Sequence, residues 1–338
     1  MIFKNIYYFL KLIRTSNLLI IAFTQYTLRY ALIAPMLERY GIPLQMSEPD
    51  FFLLCLSTVM IAAAGYIIND YFDIKIDRIN CPKRIVVGKY IKRRVAMGAH
   101  IVINTLGVLL AFWVAYKNNM WYLGFIQVFT ATALWNYSVT FQRRFLIGNI
   151  IVSLMTALVP LIVGLYELLL LKSNFELIID QVIHFIAVDW LNQMALEFYD
   201  ATIKELANWI SAYSFFAFLT TLIREIIKDI EDIEGDKAYN CKTMPIVLGQ
   251  FKTGIVAAFL TFLLIIIITF FQLYFFNLHD LKSVMFIFIA IQIPLIIIIY
   301  ALLFSKNVNR YKFSGDVMKL VMLSGISFIL FNYFIHFV

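Results

Sequence analysis

The stretch FFLLCLSTVMIAAAGYIINDYFDIKID, residues 51–77, joins two patterns that decide the fold. Phe51–Ile68 is an apolar run long enough to enter a bilayer as a helix. It ends abruptly in Asn69 and Asp70, with Asp73 and Asp77 following, so the acids stand at i, i+3 and i+7. At about 100° per residue, the three fall within an arc of about 60° on one helix face. Carboxylates gathered at the end of a membrane helix repel one another, and lipid nearby raises the cost. A positive partner has to offset it.

The surrounding composition agrees with a membrane setting. Hydrophobic residues make up 62% of the 338-residue chain and charged residues only 14%, against about 25% charged in an ordinary soluble domain. This excludes a soluble globular enzyme, a disordered chain and a collagen-like chain. The pattern predicts an all-α polytopic bundle with nine apolar runs: Leu18–Leu37 (with Arg29 inside it), Phe51–Ile68, Val95–Tyr116, Met120–Ser138, Asn149–Leu171, Trp209–Ile227, Ile255–Phe276, Val284–Phe304 and Val317–His336. The chain reads as one transmembrane domain over residues 1–338. Lys4, Lys11 and Arg14 precede a first run without a small-residue cleavage site, which reads as an uncleaved span.

The net charge of +7 reads as topology rather than nucleic-acid binding. The N-terminus and segments 70–94, 139–148, 224–252 and 305–319 hold 22 of the 28 lysines and arginines. Nine spans with a cytoplasmic N-terminus reproduce that bias, and they place the loops 70–94 and 225–252 on the cytoplasmic side. Some of this charge faces anionic lipid or an anionic substrate. Segment 173–208 holds six acids and one lysine among apolar residues; it reads as an amphipathic insertion on the outer face. Cys55, Cys81 and Cys241 form no CxxC pair, and the four histidines form no metal-binding pattern. No obligatory protein partner is evident.

A second acidic cluster matches the first. Lys228-Asp229-Ile230-Glu231-Asp232-Ile233-Glu234-Gly235-Asp236 repeats the i, i+3, i+7 spacing in Asp229, Asp232 and Asp236. Glu225 shares their arc, whereas Glu231 and Glu234 point elsewhere. Two facing carboxylate trios with basic residues nearby (Lys83, Arg84, Arg143, Arg144, Lys228 and Lys237) read as a site for Mg²⁺ and a diphosphate. Asn80-Cys81 after the first trio and Asn240-Cys241 after the second suggest an internal duplication. It would consist of two four-helix pseudo-repeats plus a final helix, with a cytoplasmic cap of helical loops.

Asn69–Asp77 followed by Asn80, Pro82 and Arg84 resembles the first signature of the UbiA superfamily of intramembrane prenyltransferases, and Asp229–Asp236 resembles its second. Arg14 and Asn17, Tyr137 and Ser138, and Gly148-Asn149 fit the same pattern. Arg224–Asp236 with Lys242-Thr243-Met244-Pro245-Ile246 is most similar to the geranylgeranylglyceryl phosphate geranylgeranyltransferase branch. Related runs occur in prenyltransferases with aromatic acceptors of the quinone, tocopherol and chlorophyll type. Cys81, Ile85-Val86-Val87 and the 173–208 insertion depart from the pattern.

The resemblance implies Mg²⁺-dependent transfer of a prenyl group from a prenyl diphosphate to a lipophilic acceptor. Asp70, Asp73, Asp77, Asp229, Asp232 and Asp236, with Asn69, would hold Mg²⁺. Arg84, Lys228 and Arg143 would meet the diphosphate; spacing alone leaves Arg144 as an alternative to Arg143. Tyr137 would face the allylic cation, and Arg14 and Asn17 would lie towards the acceptor. The rival class is a cation transporter with intramembrane carboxylates.

Overall fold

The structure is a computed structural model that describes residues 2–176, 178, 192–275, 280–304 and 309–336. A short helix, α1 (Ile2–Leu12), leads into α2 (Thr15–Glu38). Then come α3 (Glu48–Asn80), α4 (Arg93–Lys117), α5 (Gly124–Val139), α6 (Ile147–Ser173) and α7 (Asn192–Glu231). Two short helices, α8 (Ile233–Ala238) and α9 (Met244–Leu248), precede α10 (Gln250–Phe275), α11 (Leu281–Leu303) and α12 (Arg310–His336). No strand occurs among the described residues.

Eight of these helices are long and apolar enough to cross a membrane. The expected run Met120–Ser138 forms the shorter α5, preceded by a 3-10 turn at Trp121–Leu123. Together the two rise about 30 Å, close to the hydrocarbon thickness.

Helix α3 starts where Ser47 Oγ accepts the Asp50 N–H, with Glu48 and Asp50 in its positive first turn. Its 33 residues give a length of about 50 Å, well beyond a hydrocarbon core of about 30 Å. The apolar run therefore does not end the helix. Asp70, Asp73 and Asp77 occupy the helical overhang, sharing one face as their spacing predicts, so the first part of segment 70–94 is helix. Likewise, most of the expected 225–252 loop is helical.

Residues 192–208 also differ from expectation. They are not separate from the sixth span but form the first part of the 40-residue α7. Tyr199, Thr202, Leu206 and Ile210 are buried at helical spacing, and the first apolar core includes Tyr199, Leu206 and Ile210. That apolar stripe packs α7 against α6 and carries the helix through the segment. Ile179, Val182, Ile183, Phe185, Ile186, Trp190 and Leu191 lie outside the described residues.

The core has two large apolar clusters. One gathers α2, α3, α4, α6 and the early part of α7, around Leu54, Tyr166 and Leu206. The other gathers α7, α10, α11 and α12, around Ile223, Ile227, Leu295 and Met318. Helix α7 belongs to both and so sets the position of one half against the other.

The charge inside the first span is also accounted for. Arg29 is fully buried, in a π-helical turn at Leu28–Ile33. Its guanidinium donates to the Met46 carbonyl and pairs with Glu48 at 3.1 Å and buried Glu167 at 3.6 Å. Glu167 in turn accepts the backbone N–H groups of Gln45 and Met46. Arg29→Met alone should destabilise the protein by about 3–5 kcal/mol, because it strands a buried carboxylate. Arg29→Met with Glu167→Leu should cost clearly less, as thermal unfolding in detergent will read.

Candidate functional site

The two acidic stretches meet at one end of the bundle. Asn80, the last residue of α3, bridges them: its Nδ2 donates to the Asp232 carbonyl at 3.0 Å, and its Oδ1 accepts the Gly235 N–H at 2.8 Å. This inserted amide explains why the second trio does not lie on one unbroken helix. Helix α7 stops at Glu231 and α8 restarts at Ile233, where a side chain from α3 enters the backbone ladder. The approach is so close that a Cβ on Gly235 would lie 2.5 Å from Asn80 Nδ2.

Each carboxylate has a neighbour to answer its charge. Arg14 donates to Asp70 at 2.8 Å, and its guanidinium lies over the Tyr66 ring at 4.9 Å. Gln142 Nε2 and Asn69 Nδ2 both donate to Asp73, the latter at 2.9 Å. Asn149 Nδ2 donates to Asp229 at 2.8 Å, and the Thr243 hydroxyl donates to Asp236 at 3.0 Å. Lys228 pairs with buried Glu225 at 4.0 Å, and its charge acts on Asp73, Asp77, Asp229, Asp232 and Asp236. Glu231 and Glu234 are exposed and stay out of the cluster.

The basic residues divide clearly. Arg143 acts on Asp236, whereas Arg144 lies over Phe141 at 5.7 Å. The Arg143 carbonyl also accepts the Lys242 N–H at 2.8 Å, which ties the α5–α6 connection to the second motif. Arg84 is exposed and close enough to act on Asp232. Tyr137 is half-buried, within electrostatic reach of Asp73, Asp229, Glu225 and Arg14. Asn17 donates to the Tyr66 hydroxyl at 3.3 Å. Arg14, expected towards the acceptor, pairs with Asp70.

The two halves enter the cluster alike. Arg14 before α2 and Leu146 before α6 both adopt left-handed backbone, with φ of 52° and 58°. An asparagine follows each by three positions, Asn17 and Asn149. Arg14 reaches the first aspartate of one motif, and Asn149 that of the other. The turn before α6 folds back so tightly that a Cβ on Gly148 would meet Gln142 Cα at 2.8 Å.

The donor set suits a hard cation. The carboxylates offer oxygen, and Asn69 Oδ1 is a buried acceptor without a hydrogen-bond partner. Among the described residues, no three acidic, His or Cys side chains close into a ready-made cage. Burial pushes the Cys241 thiol up to about 11 and raises Cys81, so neither supplies a thiolate at neutral pH.

Gln142, Asn149, Thr243 and Asn80 complete the site. Asn80 and Asn149 belong to recognisable sequence patterns. Gln142 and Thr243 have no local signature, since their roles come from contacts with residues distant in sequence or across a turn.

Comparison with known proteins places this geometry. The model of the UbiA prenyltransferase family matches residues 31–323. A digeranylgeranylglyceryl phosphate synthase of Methanothermobacter thermautotrophicus is 30% identical over 254 residues, covering 75% of this chain and 72% of the relative. The synthase of Methanosphaera stadtmanae is 29% identical over 241 residues, covering 71% and 72%. A solved structure of a digeranylgeranylglyceryl phosphate synthase superposes with a TM-score of 0.59 at 24% identity, covering 96% of this chain and 99% of that one. A UbiA homolog from Archaeoglobus fulgidus, bound to DMAPP and Mg²⁺, gives 0.51 at 18% identity, covering 95% and 99%.

Two predictions follow from the local chemistry. Gly235→Ala should displace the Asn80 amide and lower the melting temperature by several degrees, since a lost buried bridge costs about 1–3 kcal/mol. The second concerns pH. Burial pushes the Asp236 carboxyl up to about 6, with Asp232 also raised by burial. Above its unfolded value, near 4, a raised carboxyl increasingly disfavours the fold as pH climbs through 6. Cation-free protein should therefore be more stable at pH 4.5 than at pH 7.5 with respect to Asp236, by about 3 kcal/mol at most. Asp236→Asn should flatten that part of the profile in thermal melts.

Proposed function

Because the chain belongs to the UbiA prenyltransferase family, we propose that its two aspartate clusters take up a prenyl diphosphate with Mg²⁺ and deliver the prenyl group to a lipophilic acceptor. The observation that carries this is the Asn80 bridge, which brings two matched carboxylate trios and Lys228 into one cluster. The names of the similar synthases favour geranylgeranyl diphosphate as donor and geranylgeranylglyceryl phosphate as acceptor. Prenyl transfer by a membrane enzyme sets the transporter reading aside.

Asp70, Asp73, Asp77, Asp229, Asp232 and Asp236 would hold Mg²⁺, with Asn69 Oδ1 as a further oxygen. Bound there, Mg²⁺ supplies charge neutralisation for the departing diphosphate. Gln142 and Asn149 fix the carboxylates of Asp73 and Asp229, so that little reorganisation remains when substrate arrives. Lys228, Arg84 and Arg143 surround the cluster with positive charge for the diphosphate oxygens. The C–O bond to diphosphate breaks, the allylic carbon gains cationic character, and the Tyr137 ring stabilises it by about 0.5–2 kcal/mol. The acceptor oxygen then forms the new bond to that carbon and its proton passes to the departing diphosphate. The basic bias of the site-side segments supports a site on the cytoplasmic face.

Product analysis tests the reading. Purified protein in nanodiscs would receive labelled geranylgeranyl diphosphate, Mg²⁺ and separate acceptors: geranylgeranylglyceryl phosphate, 4-hydroxybenzoate, homogentisate and dihydroxynaphthoate. The expected product is the doubly prenylated glyceryl phosphate. A prenylated aromatic product alone would reassign the acceptor, and no Mg²⁺-dependent transfer to any of them would overturn the proposal. Asp73→Ala and Asp232→Ala should each reduce turnover by at least about a hundredfold; full activity in either removes the site assignment.

A further inference from the structure

Helix α1 presents three distinct faces. Leu12 is 0% exposed, and with Tyr8, Phe9 and Ile13 it packs on Ile67, Val86, Val87 and Ala96. Tyr8 stacks on Tyr90 with centroids 3.6 Å apart and planes 8° from parallel. The helix is thereby fixed to the segment that follows the first aspartate motif. A second face is apolar and turned outward: Ile6 is 50% exposed, Tyr7 62% and Leu10 44%. Lys4 and Lys11, both exposed, are seven positions apart and so lie within about 20° of each other on a third face.

The cations continue on the neighbouring segment. Lys89, Lys92, Arg93 and Arg94 are exposed, and Lys4 and Lys89 both act on the Tyr90 hydroxyl. Neither α1 nor residues 81–94 include a single acid. An outward apolar ridge flanked by uncompensated lysines, just before a membrane span, suits the headgroup layer of a bilayer. A soluble anion would answer the lysines but leave Ile6, Tyr7 and Leu10 in water.

We propose that α1 and the adjoining basic segment form a docking surface for anionic lipid headgroups, and that docking holds Arg14 on Asp70. The link is short. Helix α1 ends at Leu12, and Arg14, in left-handed backbone, turns the chain into α2 while its guanidinium reaches the carboxylate. A lipid surface that pins α1 therefore pins the base of that side chain.

Hydrogen exchange of residues 2–12 tests the docking, with the full-length protein in nanodiscs of phosphatidylcholine alone or with 30% phosphatidylglycerol as the anionic lipid. Exchange should be slower in the anionic discs. Lys4→Gln and Lys11→Gln should each reduce that protection by about fivefold. Ile6→Ser with Leu10→Ser should speed exchange in both disc types. Equal exchange in the two discs for the parent protein overturns the docking. The coupling to Arg14 rests on the proposed prenyl transfer and is read separately. Transfer should be faster in anionic discs for the parent protein, and a variant carrying both Lys4→Gln and Lys11→Gln should fall to the neutral-disc rate. Equal rates in both discs overturn the coupling. Absence of transfer in every disc would count against the proposed function, while the exchange data still decide the docking.

Discussion

Six aspartates converge at one end of this bundle, and their mutual repulsion is the constraint that the surrounding structure answers. Lys228 acts on five of them, and Arg14 covers the sixth, Asp70. Gln142, Asn69, Asn149 and Thr243 add directed hydrogen bonds, which hold carboxylates in place without adding net charge. The backbone contributes as well: Asn80 from one motif enters the ladder of the other and fixes the distance between them. The cluster is thus held in place by its own contacts, and in the proposed reaction a cation and an anionic ligand would complete its charge balance.

Much of this was legible in the sequence, because helical periodicity is local. The spacing of Asp70, Asp73 and Asp77 specifies one face whether the helix is short or long. What could not be read was where that helix stops, since hydropathy marks the apolar run and not the cap at Cys81. The break after Glu231 was equally hidden. It is set by Asn80, about 150 positions away in the chain, which no local pattern reports. The basic pair Arg143-Arg144 looked equivalent in sequence; the 3-10 turn at Phe141–Arg143 separates them, sending one towards Asp236 and the other over Phe141. Residues 192–208 read as an amphipathic segment; that its buried face, with Tyr199 and Leu206, runs without a break into the next span at Ile210 depends on packing that no local pattern reports.

The likeness between the halves is deeper than their aspartate spacing. Each begins its first long helix after a non-glycine residue in left-handed backbone, a conformation that costs energy and persists only where surrounding contacts hold it. At Arg14 those contacts include the Asp70 ion pair and the Tyr66 ring; at Leu146 they include the turn closed over Gly148. The same backbone device thus presents a cation to one cluster and a neutral amide to the other. The site is consequently symmetric in architecture and asymmetric in charge, which gives the two clusters different environments from a common plan.

The overhang of α3 sets a height. Beyond Ile68 the helix continues through Asn80, about 18 Å at 1.5 Å per residue, so with its apolar part in hydrocarbon its carboxylates would reach the headgroup layer. A tailed molecule can meet those carboxylates without leaving its leaflet. A small charged fragment released there has no tail to retain it and passes to water. In the proposed reaction the rigid rod would therefore act as a sorting level, at which products separate by phase rather than by affinity.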